Sequence, residues 1–285
     1  MRVEIIGPLS LAYVRRVSCQ RDADSAHCVL LRRNAAPMTR VLTAVGAFVL
    51  TIGVGLGAGP YRSASAASAC DSSAVKRVDL ITADGITVAG FVQGPASATA
   101  ETLSVVLVHQ VNGDHCGWAA EAAHLAKTNT VLSLDLRGYG ASQSASGTAA
   151  LMYRKDIEAA VQYLRTQRAT KVVLIGASMG GSAVVVAGAA IKPPVDAVVT
   201  VSAPGNFNGQ NATANISKLT MPLRVMAASD DGGATAGAKR LLAKAKASAD
   251  AASFLYAKGG HGWALLRPGT VAQSQVDGFL QSIKR

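Results

Sequence analysis

The sequence predicts an α/β fold, a mostly parallel twisted sheet of about eight strands with helices on both faces and no large lid domain. Three observations predict it. Apolar β-type runs alternate with helix-spaced runs from Val75 to the C-terminus. No internal repeat or long low-complexity linker interrupts them, which argues for one domain over residues 70–285. The stretch Lys171 to Gly181, KVVLIGASMGG, reads as strand, sharp turn and helix with Ser178 at the apex.

Val75–Thr82 and Ile86–Gln93 alternate in polarity and flank Asp84-Gly85, a hairpin signal, so the domain opens antiparallel. Leu103–His109 is a continuous apolar run, the mark of a buried strand. Trp118–Lys127 carries Trp118, Ala122, Leu125 and Ala126 on one side of a helix. Val131–Leu136 is the next strand, followed by the loop RGYGASQSASG. Ala149–Arg165 places Leu151, Ile157, Val161 and Leu164 at core spacing. Val172–Ile175 is the strand before Ser178, and the small-residue run Ser182–Ile191 is a tightly packed helix. Asp196–Ser202, Leu223–Ala228 and Ser253–Ala257 are strands; Ala234–Ala247 and Val271–Ile283 are helices. Repeated βα units imply parallel pairing. Ala203–Met221, rich in Asn, is the one long irregular piece.

Composition separates an address from a fold. The 285 residues are 49% hydrophobic and only 16% charged, with a formal net charge of +11. Eight of the 28 Lys and Arg, and three of the 17 Asp and Glu, precede Cys70. No dense Lys/Arg patch with interleaved aromatics occurs, which argues against a nucleic-acid partner. Within residues 38–69, Arg40 closes a basic segment and Val41–Gly57 is an uncharged apolar run. Pro60 breaks that run, and Ala67-Ser68-Ala69 fits a cleavage site. Residues 38–69 therefore read as a signal peptide, and the protein as secreted or held in a bacterial cell envelope. Met38 suits a start codon, so residues 1–37 are expected to be absent from the mature protein. An uncleaved leader, or a lipidated Cys70 in a lipobox-like context, would instead tether the chain to a membrane. Cys70 and Cys116 remain after cleavage, and export permits their pairing. Neither sits in a CxxC or beside a metal-type His spacing, which argues against a metal or redox role.

The turn at Ser178 carries the chemistry. In G-x-S-x-G the serine sits on a strained strand-to-helix turn whose neighbours must lack bulk, here Gly176 and Gly180. The hydroxyl stands clear of the sheet and the helix N-terminus faces a developing negative charge. A serine needs a base, and the base needs an acceptor. His261, in AKGGHGWALL after the last strand, is the candidate base. Asp230 and Asp231 end the strand Leu223–Ala228; Asp231 is preferred as the acid, with Asp230 left open. The backbone amides of Met179 and of Gln110, or Val111 beside it, are the candidate oxyanion donors, and His109 shapes that loop. His115 reads as a loop residue near the site and His124 as an exposed helix position. Asp135, Arg137 and Gly138 read as a loop brace.

VVLVHQ, LDLRGYGAS, GASMGG, AASDD and GGHGW, in this order, resemble the α/β-hydrolase superfamily, in particular its dienelactone-hydrolase-like and small serine esterase branches. The resemblance covers Val75 to the C-terminus. It implies an eight-stranded sheet whose second strand is antiparallel, and catalysis through an acyl-enzyme. Dienelactone hydrolases use Cys where Ser178 stands, so lactone opening does not carry over. The chain is expected to be an exported serine hydrolase that cleaves small-molecule or lipid-like carboxylic esters and requires neither cofactor nor metal. Thioester or peptide hydrolysis, and a non-catalytic binding protein of the same fold, are the alternatives.

Overall fold

The computed structural model describes residues 17–22, 25–30, 70, 72–95 and 102–285. The signal peptide expected over residues 38–69 and the start at Met38 lie outside the described residues. The chain divides into two compact units, residues 1–61 and 62–285. In the first, β1 (Val17–Asp22) and β2 (Ser25–Leu30) pair antiparallel.

The second unit holds an eight-stranded sheet. Its strands are β3 (Lys76–Ile81), β4 (Thr87–Gln93), β5 (Ser104–Val108), β6 (Thr130–Leu134), β7 (Val172–Ala177), β8 (Ala197–Val201), β9 (Leu223–Ala228) and β10 (Ala251–Tyr256). They lie in the order β10-β9-β8-β7-β5-β6-β4-β3. Neighbours pair in parallel, except that β4 runs antiparallel to both β3 and β6. The hairpin at Asp84-Gly85 accounts for this: Gly85 sits at φ 79° and donates to Thr82 O, closing the turn.

Six helices cover the sheet: α1 (Ala119–Leu125), α2 (Tyr153–Thr166), α3 (Met179–Ala190), α4 (Ala212–Asn215), α5 (Ala234–Lys244) and α6 (Val271–Lys284). Alternation along the strands builds two cores. Val106, Val108 and Leu174 join α2, α3 and α5 on one face. Val105, Leu107, Val173 and Ile175 join Trp118 and Leu125 beside α1 and Val276 and Leu280 of α6 on the other. Because β5 and β7 bury both faces, their sequences are unbroken apolar runs. Each fully buried Val or Leu contributes about 1.5–3 kcal/mol.

Two elements differ from the sequence reading. The helix expected over Ala149–Arg165 is a 3-10 turn, Gly147–Leu151, and then α2. The break falls at Met152, whose ψ of 42° cannot continue a helix. The segment Ala203–Met221 holds α4 and a 3-10 turn, Ile216–Lys218. Asn211 caps α4 by accepting from Ala214 N–H at 2.9 Å. Four residues of α-helix do not make a lid, so the carboxyl rim of the sheet is left open.

Candidate active site

The rim is built from chain crossings that only glycine allows. At Gly176 a Cβ would collide with the backbone of Gly180, and at Gly180 with the carbonyls of Val108 and His109. The start of α3 therefore lies against the end of β5. Ser178, between β7 and α3, has φ 50° and ψ −114°, a strained conformation that lifts its side chain off the strand line. Its N–H donates to Val201 O at 2.8 Å, which fixes the turn to the end of β8. Ser178 is 8% exposed.

His261 follows β10 on the loop 257–261. Its Nδ1 lies 2.8 Å from Asp231 Oδ1. A carboxylate only accepts, so Nδ1 carries the proton of this contact and Nε2 is the ring nitrogen left to face away from Asp231. Asp231 stands in the turn after β9. Its neighbour Asp230 accepts from Gly259 N–H at 3.2 Å and Gly260 N–H at 3.1 Å. Those two bonds hold its carboxyl below the usual range. One carboxylate thus faces the imidazole and the next grips the loop that carries it.

The loop is brought to Ser178 from its other end. Gly262 N–H donates to Ser202 Oγ at 3.1 Å, and the position of a Gly262 Cβ lies 3.4 Å from Ala177 Cβ. The residue after His261 therefore rests on the residue before Ser178. Among the described residues no hydrogen bond joins the Ser178 hydroxyl to the His261 ring, whose side chain is 47% exposed.

Met179 N–H is in the first turn of α3, where no intrahelical acceptor exists. Gln110 follows β5 at the place where α3 abuts it. Its carbonyl accepts from Gly113 N–H at 3.2 Å and lies 2.8 Å from His109 Nδ1. His109 Nε2 accepts from Leu136 N–H at 3.0 Å, so the buried ring is neutral with its proton on Nδ1. Burial holds its pKa below the ordinary value. His109 thus clamps the loop that presents Gln110, as its position suggested.

A family model for the alpha/beta hydrolase fold matches residues 104–214. Solved structures agree over the whole domain. A Pyrococcus furiosus esterase is 15% identical with a TM-score of 0.58, covering 74% of this chain and 91% of its own. A thermophilic esterase from Thermogutta terrifontis is 18% identical with a TM-score of 0.59, covering 74% and 100%. The enol-lactonase from Burkholderia xenovorans LB400 is 14% identical with a TM-score of 0.56, covering 72% and 98%. The chain has the α/β-hydrolase fold. At these identities the solved structures speak for the fold alone, and no curated protein matches the sequence.

The other conspicuous residues of this fold are structural. The run DLRGYGAS is a knot. Asp135 accepts from His115 N–H, His115 Nδ1 and Ala141 N–H at 2.7, 2.9 and 2.8 Å. Burial opposes its charge, but the hydrogen bonds from His115 and Ala141 prevail and hold the carboxyl below its ordinary range. Gly140, at φ 51°, has no room for a Cβ beside that carboxylate. Arg137, fully buried, contacts Asp156 at 2.6 Å and Asp84 at 2.8 Å, tying the loop to α2 and to the β3–β4 turn. The loop-brace reading of Asp135 and Arg137 matches these contacts.

Two histidines depart from their expected places. His115 is buried in a 3-10 turn (His115–Trp118) and stacks on Phe91 with ring centroids 3.4 Å apart. His124 is half-buried and meets Asp277 of α6 at 2.9 Å. Sequence reasoning also passed over Ser202 and Trp263. Ser202, at φ 52°, ends β8 and holds Gly262. Trp263 occupies the space that side chains at Gly113 and Gly117 would need. A tryptophan two residues after the candidate base was the available signal for the second.

Proposed function

We propose that this chain hydrolyses carboxylic esters, with Ser178 as nucleophile, His261 as general base and Asp231 as the acceptor that orients it. The observation carrying this reading is the 2.8 Å contact of His261 Nδ1 with Asp231, on a loop packed against the turn that strains Ser178. Ser178 Oγ attacks the ester carbonyl while His261 Nε2 takes its proton. Met179 and Gln110 amides receive the oxyanion. The imidazolium returns its proton to the leaving alcohol, and the acyl group remains on Ser178. Water, deprotonated by His261, then releases the acid. The known esterases of similar fold support the substrate class.

The accessible rim favours small or slender apolar acyl groups. Tyr139 hydroxyl lies 3.7 Å from Met179 Sδ, beside the nucleophile turn. Its ring neighbours Tyr153, which follows the exposed Leu151 and Met152. Export supports access to such esters outside the cell. The Cys70 sulfur is bonded to Cys116, and that sulfur is the atom lipidation would need, which supports a secreted form over a lipid-anchored one.

Labelling of the mature chain by a fluorophosphonate, followed by turnover of p-nitrophenyl esters of rising acyl length, tests this reading. Labelling at Ser178, loss of both signals in Ser178→Ala, and a preference for short acyl chains are expected. A chain that neither labels nor turns over any of the esters would instead be a binding protein of this fold.

A further inference from the structure

Far from the spacing rules that mark metal sites in sequence, three ligand atoms converge beneath the β4–β6 side of the sheet. Cys70 Sγ lies 3.4 Å from His115 Nε2, and Cys116 Sγ lies 3.5 Å from the same nitrogen. All three atoms fall within 4.8 Å of one another. In the structure the two sulfurs form a disulfide with Cα atoms 5.5 Å apart.

A tetrahedral zinc ion has Zn–S of about 2.3 Å and Zn–N of about 2.0–2.1 Å, which puts nitrogen and sulfur ligands about 3.5 Å apart. Both nitrogen-to-sulfur distances already have that value. Only the sulfurs are too close, since two thiolates on one zinc stand about 3.8 Å apart. The nitrogen is also prepared. The other ring nitrogen, Nδ1, meets buried Asp135 at 2.9 Å, and stacking on Phe91 fixes the ring plane. A carboxylate behind a ligating imidazole is the usual outer shell of a zinc histidine. A cavity of about 190 Å³ borders Cys70 and His115 and is lined also by Gln93 and Ser133. Ser133 Oγ is buried there with no hydrogen-bond partner among the described residues.

We propose that reduction of Cys70–Cys116 turns this cluster into a Cys2His site for a soft divalent cation, zinc in the first instance. A dithiol reductant supplies two electrons and two protons: the S–S bond breaks, two thiols form, and the dithiol becomes a disulfide. The cation then displaces both thiol protons and binds Cys70 Sγ, Cys116 Sγ and His115 Nε2. The fourth position opens toward the cavity. Thiolate and imidazole donors select zinc over magnesium or calcium. Oxidation releases the ion, so the same atoms hold either the disulfide or the metal.

Cobalt(II) reports such a site directly. The full folded chain is reduced with a phosphine, freed of it and titrated with Co2+ without oxygen. A thiolate-to-cobalt band saturating at one ion per chain and erased by Zn2+ is expected. The oxidised chain should bind at least about 100-fold more weakly, and Cys70→Ser should lose about half the band. Asp135→Asn should weaken binding about 10–100-fold without moving the band, because it acts through His115. A reduced chain that keeps its near-ultraviolet dichroism and shows no thiolate band overturns the proposal. So does a band needing two chains per ion, or reduction that by itself melts the domain.

Discussion

Trp263 and Gly117 interlock: the indole fills the space where a Gly117 side chain would stand, and its Trp118 neighbour meets it edge-on with centroids 6.3 Å apart. Trp263 is two residues past His261, the proposed base, so its packing on the turn that bears Cys116 and Gly117 should limit how far that imidazole can drift. Gly117→Ala should push the indole out and displace His261. Because a shift of about 1 Å can cost about 100-fold, phosphonylation of Ser178 should slow by about 10- to 100-fold while the domain stays folded. Labelling rate beside a melting curve decides it; an unchanged rate would show that Trp263 does not position the base.

Asp230 and Asp231 are adjacent and do different work. Asp231→Asn replaces a charged acceptor of His261 Nδ1 by a neutral amide that can donate to that nitrogen and so favour the wrong tautomer, and kcat should fall about 10⁴-fold. Asp230→Asn weakens only the grip on Gly259 and Gly260, and its cost should stay under about 10-fold. Turnover of one p-nitrophenyl ester by both variants is the measurement, and equal losses contradict the assignment.

Ser178 holds φ at 50°, where a side chain is strained by about 1–3 kcal/mol. Ser178→Gly should relieve part of this and raise the unfolding midpoint, while removing the proposed nucleophile and with it all labelling. Ser178→Ala should abolish labelling without that gain, since its Cβ keeps the strain. Thermal unfolding of the three chains tests the pair.

Glu121 lies buried on α1 with neither oxygen hydrogen-bonded among the described residues. Burial, then the charge of Asp277, pushes its pKa from 4.5 to about 8. The folded chain therefore holds a proton that the unfolded chain has lost, and stability falls as pH rises from 4.5 to about 8. The shift corresponds to about 4–5 kcal/mol at most. Glu121→Gln should flatten that decline and stabilise the domain at pH values above about 8 relative to the parent. Unfolding midpoints across that range check it; parallel curves would show that Glu121 titrates normally.

The order of strands and helices was legible because each is written in local periodicity, and the doubly covered β5 and β7 in unbroken apolar runs. Ser178 was legible because its glycines are required by the turn itself. Met152 was not: it sits inside a helical pattern, and the break in the backbone there reflects how the 3-10 turn docks on the domain. Gln210, whose Nε2 donates to Leu151 O at 2.7 Å, is one such contact, from 59 residues away.

What the sequence alone determined is the alternation of elements, the crowded turn at residue 178 and the presence of His261 beyond the last strand. Each depends on neighbours within a few residues, through side-chain period and backbone stereochemistry. What the tertiary structure decided is which carboxylate meets His261, that Cys70 reaches Cys116, and that His115 stands between those sulfurs and Asp135. These partners lie 20 to 46 residues apart and meet only where the strand order brings their loops to one place. A one-residue choice such as Asp231 over Asp230 then turns on the path of the facing loop, which no local pattern encodes.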